Sequence, residues 1–193
     1  MSDQTTTSVL FAGVGGQGIV LASSLLATVC LDMGHDVKQS EVHGMAQRGG
    51  SVTSHVRFGS QVSSPTIPAG EADYLLAFEL LEGARWCGHL AAGGTALVNR
   101  QRIAPITVSS GALEYPGDLE RQLQSDGGSA ILVDAFDMAR TAGSTRAVNM
   151  VLLGGLAAQL DFDTDVWRQA IANRVPPKTL ETNWKAFEAG RGV

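Results

Sequence analysis

Residues 8–23 read Ser-Val-Leu-Phe-Ala-Gly-Val-Gly-Gly-Gln-Gly-Ile-Val-Leu-Ala-Ser. Ser8 to Ala12 is a short apolar run, the pattern of a buried strand. Gly13, Gly15 and Gly18 follow in GxGxxG spacing. From Ile19 to Met33 the apolar residues Ile19, Leu21, Ala22, Leu25, Leu26, Val29 and Leu31 recur with helical period. Gly34 then stands where a C′ glycine ends a helix. Asp36–Ser40 reads as a second strand. A strand, a glycine turn, a helix and a strand make a crossover unit, whose strands are expected to be parallel and whose connection is right-handed.

The rest of the chain extends this alternation. The pattern predicts strands at 51–58, 74–78, 95–99 and 130–134, with 103–108 as an edge strand. It predicts helices at 79–90 (closed by Gly93 and Gly94), 119–124, 136–141, 147–160, 165–174 (with Thr164 as N-cap) and 178–189. Residues 41–50 and 59–70 read as loops, and residues 1–7 as a disordered start. The expected fold is α/β: an open, mostly parallel, Rossmann-like sheet with helices on both faces and the C-terminal helices packed on one side. Residues 8–193 form one domain, with 163–193 as a helical C-terminal appendage. Ligands of such sheets sit beyond the carboxyl ends of the strands.

Bulk properties agree with one packed domain. The 193 residues are 44% hydrophobic and 17% charged, too apolar and too weakly charged for disorder. Aromatics are only 6% while glycine numbers 23, so the core must be built from Val, Leu, Ile and Ala around close backbone turns. A net charge of −5 argues against a nucleic-acid binder. No basic n-region precedes an apolar run, and the stretch Met150–Leu160 is too short to span a bilayer. Cys30 and Cys87 are far apart and have neither cluster nor disulfide spacing. They suit a reducing, cytoplasmic setting and read as buried small hydrophobes.

Two loops carry the polar chemistry. In the first, Gly13, Gly15, Gly16, Gln17 and Gly18 allow a ligand phosphate to approach the backbone, and the helix from Ile19 offers free N–H groups and a positive dipole end. A close strand-to-helix turn without a ligand explains the same glycines. Glu41 stands near the place of the ribose-binding acid of a dinucleotide site, slightly late. A P-loop is excluded, because no GK[ST] follows. The second loop holds Glu41, His43, Gln47, Arg48, Gly49 and Gly50. Arg48 ahead of two glycines presents a guanidinium and bare N–H groups to an anion, or else ties down a surface loop. His55 and Arg57 read as solvated sheet residues. Asp134 and Asp137 flank a strand end and read as helix caps before metal or ribose ligands. Asn149 reads as a cap or a buried hydrogen-bonding group. Neither a nucleophile elbow nor metal-ligand histidine spacing is present, so no catalytic residue and no metal ligand is assigned.

Together, GVGGQGIVLAS at 13–23, EVHGMAQRGGSVTSHVRFG at 41–59, Asn149 with LLGGLAA, and NWKAFEAG at 183–190 resemble the gamma-type subunit of the 2-oxoacid:ferredoxin oxidoreductases, nearest the indolepyruvate-oxidising branch. The resemblance spans nearly the whole chain. It implies oxidative decarboxylation of an aryl pyruvate to an acyl-CoA, with electrons passing to ferredoxin. Thiamine diphosphate, magnesium and [4Fe–4S] clusters then belong to a partner alpha subunit, and the isolated chain is inactive. Coenzyme A is the implied occupant of the glycine loop, with Arg48–Gly50 alongside. The helix 147–160 and the last helix, with Trp184 and Phe187, become candidates for the partner surface. A homodimer of the isolated chain stays open. Two other readings also stand: a free-standing NAD- or FAD-binding oxidoreductase, and a nucleotide-sensing module.

Overall fold

The computed structural model describes residues 6–43 (of His43 the backbone only), 50–125 and 129–193. Six strands form one sheet: β1 (Thr7–Val14), β2 (Asp36–His43), β3 (Ser51–Gly59), β4 (Ala72–Ala77), β5 (Leu90–Asn99) and β6 (Ser129–Val133). Their spatial order is β2-β3-β1-β4-β5-β6. β1, β4, β5 and β6 pair in parallel, while β3 pairs antiparallel with both β1 and β2. The fold is therefore the expected open, mostly parallel α/β sheet.

The crossover after β1 does not return to the neighbouring place. β1 and β2 run in the same direction, since both oppose β3, but β3 lies between them. This pairing also corrects the loop expected from Glu41. β2 continues to His43, with Glu41 opposite Ser54 and His43 opposite Val52. Ladder pairing with β3 overrides the polar composition of this stretch.

Helices cover both faces. On one lie α1 (Ile19–Asp32), α5 (Ala135–Ala142), α6 (Val148–Ala157), α7 (Thr164–Arg174) and α8 (Leu180–Arg191). On the other lie α2 (Leu80–Trp86) and α4 (Leu119–Ser125), with the short helix α3 (Ile106–Ser109) in the connection between β5 and α4. The strands serve the two cores by alternation: Val9, Phe11, Leu76 and Leu97 face the first, and Leu10, Ala12, Leu75, Ala77, Ala96 and Val98 the second. The segment 163–193 packs Trp167, Ile171 and Phe187 into the same cluster as α1 and α6.

Three local expectations change. The strand at 103–108 is instead α3, because Pro105 sits at its N-cap and offers no N–H to a ladder. Gly93 and Gly94 do not close a helix. α2 ends at Trp86, and β5 takes in both glycines at a register shift against β4. A Cβ on Gly94 would lie 2.8 Å from the Ala72 carbonyl oxygen, so the close approach needs glycine. The cap of α7 is Asp163, whose carboxylate accepts from the Asp165 N–H at 2.9 Å, rather than Thr164.

α6 is buried at all ten positions and packs on α8. Phe187 is also fully buried and Trp184 half-buried, so these helices build the core rather than an exposed docking face. The large exposed apolar side chains lie elsewhere, among them Val20, Leu31, Met33 and Val42 around α1 and β2, and Ile106, Leu113 and Phe136.

Candidate functional site at the glycine loop

β1 delivers Gly13–Gly18 to the carboxyl end of the sheet. A Cβ on Gly13 would lie 2.8 Å from both Gln17 Oε1 and Phe78 Cβ, so bare backbone is required there. Gln17 closes the turn from inside. Its Oε1 accepts from the Val14 N–H at 2.7 Å, and its Nε2 donates to the Phe78 carbonyl at 2.8 Å. The Gln17 side chain is thus a strap between the loop and the end of β4. Gly15 N–H is also occupied, donating to the Gly50 carbonyl at 2.9 Å.

Gly18 is the N-cap of α1 with φ +80 and no side-chain cap, and the first turn of α1 carries no acid. The N–H groups of that turn are the free donors of the loop. They open on a cavity of about 470 Å³. Gly15, Gly16, Gly18, Ile19 and Val20 line one side of it, and Glu41 with Val52 the other. A helix N-terminus of 14 residues beside a cavity of this size suits a phosphate or carboxylate. The acid at Glu41 sits on β2, two strands from β1, because β3 intervenes. In a dinucleotide-binding sheet the acid-bearing strand is the immediate neighbour of the glycine strand.

Gly13, Gly15, Gly16, Gln17, Gly18, Glu41 and Gly50 are therefore brought to one end of the sheet. The backbone of His43 pairs with Val52. Gln47, Arg48 and Gly49 lie outside the described residues.

A second group at this end was not legible as a site. Glu79 and Glu82 are 1% and 4% exposed. Glu79 caps α2 by accepting from the Glu82 N–H at 3.0 Å, and its other oxygen accepts from Tyr115 OH at 2.5 Å and Ile103 N–H at 3.0 Å. Burial, then the Glu79 hydrogen bond, pushes the Tyr115 hydroxyl pKa far up. Glu82 accepts from Ser51 Oγ at 2.5 Å and pairs with Arg85 at 3.0 Å. These carboxylates pin the 100–118 connection and the start of β3 to α2. Their only trace in the sequence is an acid directly after a strand with another three residues on, which is a capping spacing.

The remaining candidates have structural partners. His55 is buried rather than solvated, because the connection after β3 covers it: its Nδ1 accepts from the Ile67 N–H at 3.2 Å. Arg57 bonds Ser8 Oγ at 3.2 Å and the Thr66 carbonyl at 3.2 Å. Asp134 pairs with Arg100 at 3.1 Å and makes no side-chain cap, and Asp137 pairs with Arg140 at 3.0 Å. Burial pushes the Cys30 thiol pKa far up, which makes it a packing residue. Among the described residues no three His, Cys, Asp or Glu side chains converge as metal ligands, and no helix is long and apolar enough to cross a membrane.

The sequence and the fold have relatives among known proteins. The family model for pyruvate ferredoxin/flavodoxin oxidoreductase matches residues 8–193. The chain is 39% identical over 188 residues to indolepyruvate oxidoreductase subunit IorB of Thermococcus kodakarensis, covering 95% of this chain and 93% of that one. It is 38% identical to the subunit of the same name from Pyrococcus horikoshii, with the same coverage. Among solved structures, the gamma subunit of a keto/oxoacid ferredoxin oxidoreductase from Geobacter sulfurreducens superposes with a TM-score of 0.71 at 25% identity, over 95% of each chain. A 2-oxoglutarate:ferredoxin oxidoreductase from Magnetococcus marinus contains the same fold, with a TM-score of 0.76 at 18% identity over 98% of this chain and 31% of that one. This chain belongs to the pyruvate ferredoxin/flavodoxin oxidoreductase family.

Proposed function

We propose that this chain is the small subunit of a cytoplasmic indolepyruvate:ferredoxin oxidoreductase. Four relatives named as the IorB subunit, 33% to 39% identical over nearly their whole lengths, support that substrate. The partner is a larger alpha subunit that carries thiamine diphosphate with magnesium and the [4Fe–4S] clusters. Those groups would supply the decarboxylation of the 2-oxoacid and the transfer of two electrons to ferredoxin, with the acyl group passing to the coenzyme A thiol, which gives up its proton. The free cysteines Cys30 and Cys87 fit the reducing compartment in which ferredoxin works.

This chain's part is to hold coenzyme A by its phosphates. The observation that carries this role is the uncapped N-terminus of α1 opening on the 470 Å³ cavity. Gly16 and Gly18 let a phosphate reach the backbone, and Arg48 supplies a guanidinium from the segment before Gly50. Glu41, across the cavity, suits the hydroxyl-bearing part of the nucleotide better than a phosphate, since like charges repel.

Reconstitution tests the reading. This chain and the cluster-loaded partner are mixed with indolepyruvate, coenzyme A and a viologen dye without oxygen. Dye reduction that needs both chains is expected. Reduction by the partner alone at the same rate would remove the subunit role. An Arg48→Ala complex that keeps its coenzyme A affinity would remove the phosphate role and leave the subunit role standing.

A further inference from the structure

A second cavity, of about 430 Å³, flanks the first turn of α1 at Leu21. None of its lining residues belongs to the glycine-loop cavity, and none is acidic. Its walls come from the turn 143–147 before α6, the end of α7 and the start of α8. Two arginines line it, Arg146 and Arg174, and among the described residues neither guanidinium has a hydrogen-bond or ion-pair partner. Elsewhere in the described chain, Arg57, Arg85, Arg100, Arg102, Arg140 and Arg191 are bonded and Arg168 stacks over Trp184, while Arg121 is the other arginine without such a partner, on an exposed helix surface away from any of the cavities described.

The third element is Asn149. It lines this cavity yet is only 4% exposed. Its Oδ1 accepts from the Met150 N–H at 3.0 Å, and its Nδ2 has no acceptor among the described residues. That nitrogen is not among the buried side-chain atoms left without a partner, so it keeps contact with solvent and can donate to a ligand in the cavity it lines. Nearby hydroxyls add donors. Ser144 Oγ accepts from the Arg146 N–H at 3.2 Å, so its proton is free to point outward. Thr182 lies against Gly143, with its Oγ1 at 3.7 Å from the position of a Cβ there.

We propose that this cavity is a separate binding site for a phosphate-bearing small molecule, held by Arg146, Arg174 and Asn149. The donor set decides the ligand class. Two guanidiniums, an amide and two hydroxyls offer more donors than the two oxygens of one carboxylate accept. A phosphate group has three terminal oxygens and takes bidentate bonds from arginine. The volume lies in the range of small-molecule sites, so the ligand is larger than the phosphate itself. Arg174 closes α7, where its charge also complements the helix dipole. That role explains its position in the sequence but not its place in an acid-free cavity beside Arg146 and Asn149. The site does not depend on the coenzyme A reading: the two cavities share no lining residue, although the Asn149 side chain lies against Gly18.

The test uses the full chain and isothermal titration with inorganic pyrophosphate at low ionic strength, with succinate as the carboxylate control. Saturable pyrophosphate binding is expected, at least about tenfold tighter than succinate. Arg146→Ala and Arg174→Ala each weaken it by about tenfold or more, the loss of a charged hydrogen bond. Both side chains are exposed, so these variants fold. Asn149→Asp places a carboxylate in the cavity and is expected to abolish binding, with thermal unfolding checking that the variant is folded. No saturable binding, or succinate binding as tight as pyrophosphate, overturns the proposal. So does an affinity that survives both arginine variants. If that surviving affinity is then lost in Gly16→Ala, whose Cβ would touch nothing within 4 Å, the ion sits at the glycine loop and the coenzyme A reading gains from the same experiment.

Discussion

The Gln17 side-chain amide nitrogen donates to the main-chain carbonyl oxygen of Phe78 at 2.8 Å. The same carbonyl accepts from Asn99 Nδ2 at 3.1 Å, so the ends of β4 and β5 and the glycine loop meet on one oxygen. Gln17→Ala leaves the Val14 N–H without its side-chain acceptor and is expected to cost about 1–3 kcal/mol. Gln17→Glu keeps an acceptor for the Val14 N–H but turns a carboxylate oxygen toward the Phe78 carbonyl, and is expected to cost a similar amount. Chemical denaturation with an unchanged m-value checks both. A variant as stable as the parent would show that the strap is ornamental.

Gly18 combines φ +80 with a crowded surrounding: a Cβ there would lie 2.7 Å from Asn149 Nδ2. Gly16 has φ +103 but nothing within 4 Å of such a Cβ. Gly16→Ala should therefore cost only backbone strain, about 1–3 kcal/mol. Gly18→Ala should cost more, because the Asn149 side chain must also move. In the double variant Gly18→Ala/Asn149→Ala the steric part is relieved and the strain remains, so the effects are less than additive. Strictly additive losses in thermal unfolding would contradict the contact.

Much of this geometry was readable from the sequence. The run 8–23 announces a strand, a tight turn and a helix by period and by glycine placement, and the structure has them as β1, the loop and α1. The intervening antiparallel β3 was not readable, because ladder order is decided by long-range pairing that leaves no local mark. Pro105 did carry a mark against a strand at 103–108, but the apolar residues around it imitate an edge strand. The buried pair Glu79 and Glu82 was hidden for a different reason. Acids after a strand look like solvated helix starts, and only the chain from 100 to 118 folding over them removes the water. The donor cavity at Arg146, Arg174 and Asn149 draws on three separated segments, so no spacing rule points to it.

His55 makes stability depend on pH. Burial, and secondarily the charge of His89, lowers its pKa below the ordinary 6.5. Its Nδ1 must also stay unprotonated to accept from the Ile67 N–H. Above the unfolded value both states are neutral and the full stability is present. As pH falls below about 6.5 the unfolded chain binds a proton that the folded chain refuses, so stability drops until the lowered folded value is reached. His55→Gln, which does not titrate, should flatten the fall of unfolding temperature with pH just below neutrality. An identical pH dependence in parent and variant would assign the slope to other groups.

Among the described glycines, those at the contact of α6 with α8 leave the least room for a side chain. A Cβ on Gly154 would lie 2.0 Å from the Phe187 carbonyl oxygen, and one on Gly190 would lie 1.9 Å from the Val151 carbonyl oxygen. Both obstacles are backbone, so neither can swing aside as a side chain would. The two helices would have to separate, opening the cluster that Trp167, Phe187 and Leu153 fill. Gly154→Ala and Gly190→Ala are each expected to cost about 3 kcal/mol, the upper end for overpacking, or to prevent soluble expression. Gly192→Ala is the control: its Cβ would meet only the Ala189 carbonyl oxygen at 3.5 Å, an ordinary contact, at an exposed position. That variant should stay within about 0.5 kcal/mol of the parent. Because α6 and α8 are core here, the two damaging variants should lower the unfolding temperature of the isolated chain before any partner is added. A normal isolated chain that fails only on assembly would mean that this contact is rebuilt in the complex, and that these helices reach the partner after all.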